Sequence, residues 1–243
     1  MGPSERYPAF HPVPALRLAA SFGGTVWAVG SVNLRRPALA SAHVWARRMV
    51  KLLGVEPRLE SPIPDGAQVW VSNHLSWLDP LIYLSLRPAM ALAKVEVAAY
   101  PLIGQGAARI VRFVDRADLF SRAAALRGIV KDLDAGEDFL LFPEGTTTCG
   151  DHLAPLYEGG LRMAYRMGVK LLPLRLATSA GHYPWIGDDS LVPHLKRMVQ
   201  NRITRVSIHP GAVLDPARFA DEDLWVRTIR QHLGPPAAAA PAP

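Results

Sequence analysis

Short apolar runs of four or five residues recur along the chain between Ala67 and His209, and longer helix-like stretches separate them. Ala67 to Val71, Met90 to Ala93, Ile110 to Val114, Phe139 to Phe142, Lys170 to Leu174 and Arg205 to His209 predict strands. Helices are predicted from Pro80, over Leu119 to Leu133 and Leu161 to Met167, across Ser190 to Met198 behind Asp188-Asp189, and from Asp221. Strands alternating with helices predict an α/β fold, a single domain with a mostly parallel central sheet flanked by helices. Open sheets of this kind gather their sites where strands deliver their C-terminal ends. Three such ends carry groups with chemistry: His74, Arg116 and Glu144.

Outside that pattern the chain changes character. Residues 1–13 are rich in proline and aromatic residues and predict an irregular start, and residues 234–243 form a low-complexity Pro/Ala tail. The stretch from Ala15 to Leu34 is largely apolar but holds Arg17, Asn33 and Gly23-Gly24, a poor pattern for a spanning helix and without a convincing cleavage site for a signal peptide. Arg35, Arg36, Arg47, Arg48 and Lys51 follow it around a predicted helix, with Trp27 and Trp45 nearby. Residues 14–53 are therefore expected to be a membrane-associated helical segment preceding a domain at 54–233, the alternative being a buried helix packed on that domain.

At 243 residues the chain is long enough for one substantial core. A net charge of +6 and a pI near 9.8 call for an anionic partner. Clustering of the basic residues behind an apolar stretch, with no nucleic-acid motif, favours an anionic membrane surface at the cytoplasmic face over nucleic acid. One cysteine, Cys149, excludes an intrachain disulfide and fits a reducing compartment.

His74 and Asp79, five residues apart, suit a base and its orienting carboxylate. With 8 His and 13 Asp in the chain, about 0.4 such spacings arise by chance, so the pair alone is weak. Asp79-Pro80 reads as a helix start with Asp79 at the N-cap, which leaves His74 in a loop. From there its Nδ1–H can reach one Asp79 oxygen while the other caps the helix; the alternative is a plain cap beside a surface histidine. Glu144 lies in the turn Phe142-Pro143-Glu144-Gly145-Thr146-Thr147, where it is either rigidly held or simply solvated. Arg116 offers a fork for phosphate, or a surface salt bridge to Asp115 or Asp118. His152, His182, His194 and His209 show no metal-ligand pattern and read as structural or surface groups.

Taken together, these blocks resemble the glycerolipid acyltransferase family typified by 1-acylglycerol-3-phosphate (lysophosphatidic acid) acyltransferase. Asn73 to Asp79 looks like its Asn-His-four-residues-Asp motif, Arg112 to Arg116 like its second block, Phe142 to Thr147 like its Phe-Pro-Glu-Gly-Thr block, and Leu172-Pro173-Leu174 like its fourth. Lys94 and Pro101-Leu102-Ile103-Gly104 also fall on the pattern. The resemblance implies acyl transfer from acyl-coenzyme A or acyl carrier protein, as co-substrate rather than cofactor, to the free hydroxyl of a lysolipid, with 1-acylglycerol-3-phosphate the expected acceptor. It implies His74 and Asp79 as the catalytic pair; a thioester is already activated, so no acyl-enzyme is required, and no metal is expected. Arg116 is expected to hold the acceptor phosphate, and Glu144 a glycerol hydroxyl or Arg116. Gly145, Thr146 and Lys94 complete the expected substrate site, backbone amides near Gly145 or the Lys94 ammonium serving the oxyanion. Thr146-Thr147-Thr148 stands where many members have an arginine after Glu-Gly-Thr, which opens lyso-ornithine lipid or another lysophospholipid as acceptor. A membrane-binding protein of the same fold without turnover is the reading from another class.

Overall fold

Seven strands lie side by side in a single sheet, and the central ones are the predicted apolar runs. The structure is a computed structural model and describes residues 35–99, 110–201 and 203–235. In chain order it contains α1 (Arg35–Leu52), β1 (Val55–Leu59), β2 (Val69–Ser72), α2 (Asp79–Leu86), β3 (Met90–Lys94), β4 (Val111–Val114), α3 (Leu119–Asp134), β5 (Phe139–Leu141), α4 (Gly159–Arg166), β6 (Leu171–Ala177), α5 (Leu191–Gln200), β7 (Thr204–Pro210) and α6 (Glu222–Leu233). The strand order is β1-β7-β6-β2-β5-β3-β4. β6, β2, β5, β3 and β4 run parallel, whereas β7 is antiparallel to β6 and carries β1 parallel to itself.

Parallel strands covered on both faces must be apolar throughout. β2 and β5 are buried at every position, and Val69, Trp70, Val71, Phe139, Leu140, Leu171, Leu172 and Ile208 join one core with residues of the flanking helices. β1 was absent from the predicted elements, because Pro57 interrupts it and its burial pattern is mostly exposed. It tolerates that proline as the outermost strand, where ladder bonds are needed on one side only.

α1 also differs from expectation. It turns Ala38, Leu39, Ala42, Ala46, Met49 and Val50 into the common core, and Trp45 packs partly buried against it. The described part of the 14–53 segment is thus integral to the α/β body, while Arg47, Arg48 and Lys51 stay exposed on its outer side. Trp27, Ala15 to Leu34 and Pro101 to Gly104 lie outside the described residues. Among the described residues no helix is long and apolar enough to cross a membrane.

One ion pair inside this frame explains an otherwise costly glycine. Arg112 on β4 makes a bidentate bond to Asp132 on α3, Nε to Oδ2 and Nη2 to Oδ1, both 2.7 Å, and Asp132 is fully buried. Gly128 sits mid-helix, where glycine costs about 0.5–1 kcal/mol relative to alanine. A Cβ there would meet Arg112 Nε at 3.0 Å, so the glycine makes room for the guanidinium. Removing one partner of such a pair costs about 3–5 kcal/mol when both are buried. Arg112 is 29% exposed, so Asp132→Ala is expected to cost about 2–4 kcal/mol in urea unfolding.

Candidate active site

β2 ends at Ser72, and the chain then crosses the sheet's C-terminal edge as an irregular loop before α2 begins. His74 lies in that loop and does fold back: its Nδ1 is 2.8 Å from Asp79 Oδ2. An ionised carboxylate only accepts, so Nδ1 carries the proton and the Nε2 lone pair is left as the basic site. Among the described residues Nε2 makes no hydrogen bond. The ring stacks on Phe142, with centroids 4.2 Å apart and planes 24° apart, and its side chain is 18% exposed. One ring edge is therefore held and the other is open.

Asp79 does not cap the helix in the expected way. Leu78 occupies the N-cap position and makes no side-chain cap bond, and Asp79 is the first helical residue. Its carboxylate turns back instead, Oδ2 accepting from the Leu75 and Ser76 amides at 2.6 and 2.9 Å as well as from His74. Oδ1 accepts from the Tyr183 hydroxyl at 2.6 Å. Tyr183 is a residue that sequence spacing missed, being 104 positions away with no motif around it. Burial raises its phenol well above the ordinary value, and the neighbouring Asp79 charge adds to this, so it remains a donor. Behind it His194 accepts from Trp77 Nε1 at 3.0 Å and donates Nε2–H to the Tyr183 carbonyl at 2.9 Å. Burial lowers the His194 pKa, which keeps it neutral in that bridge.

Glu144 reaches the same loop from β5. Its carboxylate accepts from the His74 amide at 2.7 Å and from the Ala154 amide at 2.8 Å, and the residue is 2% exposed. It makes no hydrogen bond to Arg116, contrary to one of its expected roles, and its position is that of a brace on the His74 backbone. Thr148 completes the brace by donating its amide to the His74 carbonyl at 2.9 Å.

Burial raises the Glu144 pKa, with the two amide bonds opposing. A carboxyl raised in the folded state contributes stability that is fully present below its unfolded value, about 4.5, and lost as pH rises through the folded value. The brace, by contrast, needs the ionised acceptor. Glu144→Gln presents one carbonyl to two amide donors, so it is expected to cost about 1–3 kcal/mol at neutral pH. As pH falls towards 4.5, wild type should gain thermal stability relative to the variant while its rate advantage narrows; parallel melting and rate profiles check both signs.

Arg116 leaves β4 and turns neither to Asp115 nor to Asp118. Asp118 caps α3 by accepting from the Phe120 and Ser121 amides, and Asp115 accepts from the Ala117 amide. Arg116 Nη1 donates to the Gly145 carbonyl, and its guanidinium lies 5.3 Å from the centre of the Tyr157 ring. Partial burial lowers its pKa, against the raising effect of Tyr157 and Glu96. Gly145 has φ +64°, and a Cβ there would collide with Arg116 and come within 2.8 Å of Tyr157. The Gly145 amide is already engaged with the Phe142 carbonyl at 3.1 Å, so it is not the open donor that the sequence suggested. Exposed Thr146 follows it, and its amide makes no hydrogen bond among the described residues. Lys94 is exposed at the end of β3. Cys149, Asp151 and His152 bring potential metal-ligand atoms within 4.8 Å of one another, all exposed and already bonded among themselves.

The arrangement can take a proton at Nε2, hold the resulting imidazolium against a buried carboxylate, and offer a cation nearby. The chain is 33% identical over 189 residues, 72% of each chain, to the lyso-ornithine lipid O-acyltransferase of Pseudomonas aeruginosa. It is 27% identical over 190 residues to the 1-acyl-sn-glycerol-3-phosphate acyltransferase of Neisseria gonorrhoeae, covering 73% of this chain and 74% of that one. Its fold matches the crystal structure of the 1-acyl-sn-glycerophosphate acyltransferase from Thermotoga maritima with a TM-score of 0.65, at 19% identity over 91% of this chain and 92% of that one. Residues 54–177, which contain His74, Asp79, Arg116 and Glu144, match the Acyltransferase family model, and the chain belongs to the Acyltransferase family.

Proposed function

We propose that this acyltransferase moves a fatty acyl group from acyl-coenzyme A or acyl carrier protein to the free hydroxyl of a lysolipid. The observation that carries this reading is the His74 ring, tied to buried Asp79 through Nδ1 and open at Nε2. Nε2 takes the proton of the acceptor hydroxyl as its oxygen attacks the thioester carbonyl. The tetrahedral oxyanion collapses, the carbon–sulfur bond breaks, and His74 returns the proton to the thiolate. Asp79 offsets the imidazolium charge between the two transfers. The thioester is already activated, so no acyl-enzyme is needed. The Thr146 amide and Lys94 are donors suited to the oxyanion.

For the acceptor, lyso-ornithine lipid is placed ahead of the expected 1-acylglycerol-3-phosphate. Two observations support this order: the 33% identity over 72% of this chain to a lyso-ornithine lipid O-acyltransferase, against 31% over 55% to a probable 1-acyl-sn-glycerol-3-phosphate acyltransferase, and the engagement of Arg116 with the Gly145 carbonyl and Tyr157, which reduces its free fork. The second acceptor keeps support from the position of Arg116 at the end of β4. A matrix of lysolipid acceptors against both donors tests the reading, with product lipid and released thiol measured together. Turnover is expected with lyso-ornithine lipid at the highest kcat/KM; no thiol release with any lysolipid would overturn the enzymatic reading.

Attachment to an anionic cytoplasmic membrane surface is assigned to residues 1–34 with the exposed basic side of α1. Because α1 is part of the core, the informative truncation removes residues 1–34 alone. Binding to vesicles containing phosphatidylglycerol is expected to fall, and unchanged binding would contradict the assignment.

A further inference from the structure

A cleft of about 500 Å³ opens beside the His74 loop, on the flank away from Arg116. Its lining includes Cys149, Thr178, Ser179, His182, Asp189 and Arg197. β6 ends at Ala177, so Thr178 and Ser179 begin the loop that leaves the sheet at the same edge as His74. Two walls of the cleft are fastened to the catalytic loop by residues next in sequence to lining ones. Thr148, beside Cys149, donates its amide to the His74 carbonyl, and Trp185, beside lining residues Pro184 and Ile186, donates its amide to the Leu75 carbonyl at 2.8 Å. Thr147 ties the two walls together by donating its hydroxyl to the Trp185 carbonyl.

The charges inside are of both signs. Asp189 Oδ2 and Arg197 Nη2 pair at 2.6 Å, and their side chains are 20% and 38% exposed. The pairing uses one oxygen and one nitrogen, and among the described residues Asp189 Oδ1 and Arg197 Nη1 make no further hydrogen bond. Arg197 holds the Asp189 carboxyl below its ordinary value, so the aspartate stays anionic. Burial, with the Arg197 charge assisting, lowers the His182 pKa, so His182 adds no second cation. A phosphate monoester entering here would gain Arg197 but meet Asp189. A head group carrying one carboxylate and one ammonium would satisfy both.

We infer that this cleft binds the zwitterionic head of the acceptor, with Arg197 receiving its carboxylate and Asp189 its ammonium, and so selects an amino-acid lipid over a phosphate-headed one. The inference deepens the acceptor reading above and rests on it. Ornithine acylated at its α-amine supplies that pair of charges. It also gives the Thr147-Thr148-Cys149 segment a task, since these residues join the cleft to the base.

The test uses the full-length protein and the soluble probe Nα-acetyl-L-ornithine, which carries both charges without the lipid hydroxyl. Binding followed by NMR line perturbation is expected in the millimolar range and should weaken at least fivefold in Asp189→Asn and in Arg197→Gln. In steady-state assays both variants should lower the kcat/KM ratio of lyso-ornithine lipid to 1-acylglycerol-3-phosphate at least tenfold, with the KM for acyl donor unchanged. Thermal melting verifies that each variant is folded, and Arg197→Lys, which keeps the charge, should recover part of the ratio. Acyl transfer to lyso-ornithine lipid without probe binding, or a rise in donor KM alone, overturns the cleft assignment while the acceptor reading stands. Probe binding lost in the variants, with no turnover of lyso-ornithine lipid by wild type, supports the cleft and overturns the acceptor reading.

Discussion

Replacing His74 with alanine is expected to slow acyl transfer by about 10² to 10⁴, the range that a positioned general base contributes. The fold should survive, because the loop is braced through the His74 backbone. Its amide reaches Glu144 and its carbonyl receives the Thr148 amide, and neither bond involves the imidazole. The losses are the stack on Phe142 and the bond to Asp79. An aromatic pair contributes about 0.5–1.5 kcal/mol beyond its burial, so a modest fall in Tm should accompany the large fall in rate. Initial rates under conditions where chemistry limits turnover, measured beside melting curves, separate the two effects. A variant that lost rate only in proportion to unfolding would indicate a structural histidine.

Asp79→Asn is expected to lose about as much activity for a different reason. Asp79 is fully buried and serves four donors, three on Oδ2 and one on Oδ1. Asparagine can keep its carbonyl towards His74 and the Leu75 and Ser76 amides only by presenting its NH₂ to Tyr183, whose hydroxyl must then accept. Geometry is largely preserved, but the negative charge that stabilises the imidazolium is gone. We expect a rate loss of about 10² to 10⁴ with a stability loss of about 1.5–3 kcal/mol, the range for a hydrogen bond to a charged group. Asp79→Ala leaves all four donors without a partner and should cost at least about 3 kcal/mol. Tyr183→Phe removes one bond and no charge, so it should reduce the rate by less than about tenfold. A rate ranking of wild type, Tyr183→Phe and Asp79→Asn tests whether charge or geometry dominates.

Much of this site was legible because its parts are local or sit at strand ends. His74 and Asp79 are five residues apart, and the apolar run Ala67 to Val71 together with Asp79-Pro80 bounded the loop between them. What escaped was the direction of individual hydrogen bonds. Asp79 sits one position inside its helix rather than at the cap, a shift of one residue that propensity does not resolve. Glu144 binds two backbone amides, and no side-chain pattern announces a backbone partner. Tyr183 arrives by a long-range contact, as does the joining of Asp189 and Arg197 to the cleft beside Cys149. At the fold level, β1 was hidden by Pro57, and α1 was read as a membrane element because its exposed basic side is as conspicuous in sequence as its buried alanines are not.

The most direct test of His74 acting as base for lysolipid acylation is acceptor-dependent thiol release, compared between wild type and His74→Ala. Purified protein, acyl-coenzyme A or acyl carrier protein, and lyso-ornithine lipid are combined at saturating concentrations, and free thiol is titrated while product lipid is quantified. Wild type is predicted to release one thiol per lipid acylated, with little release in the absence of acceptor, and His74→Ala to fall by at least about 10². Full activity in His74→Ala, or thiol release independent of acceptor with acyl groups retained on the protein, would contradict it.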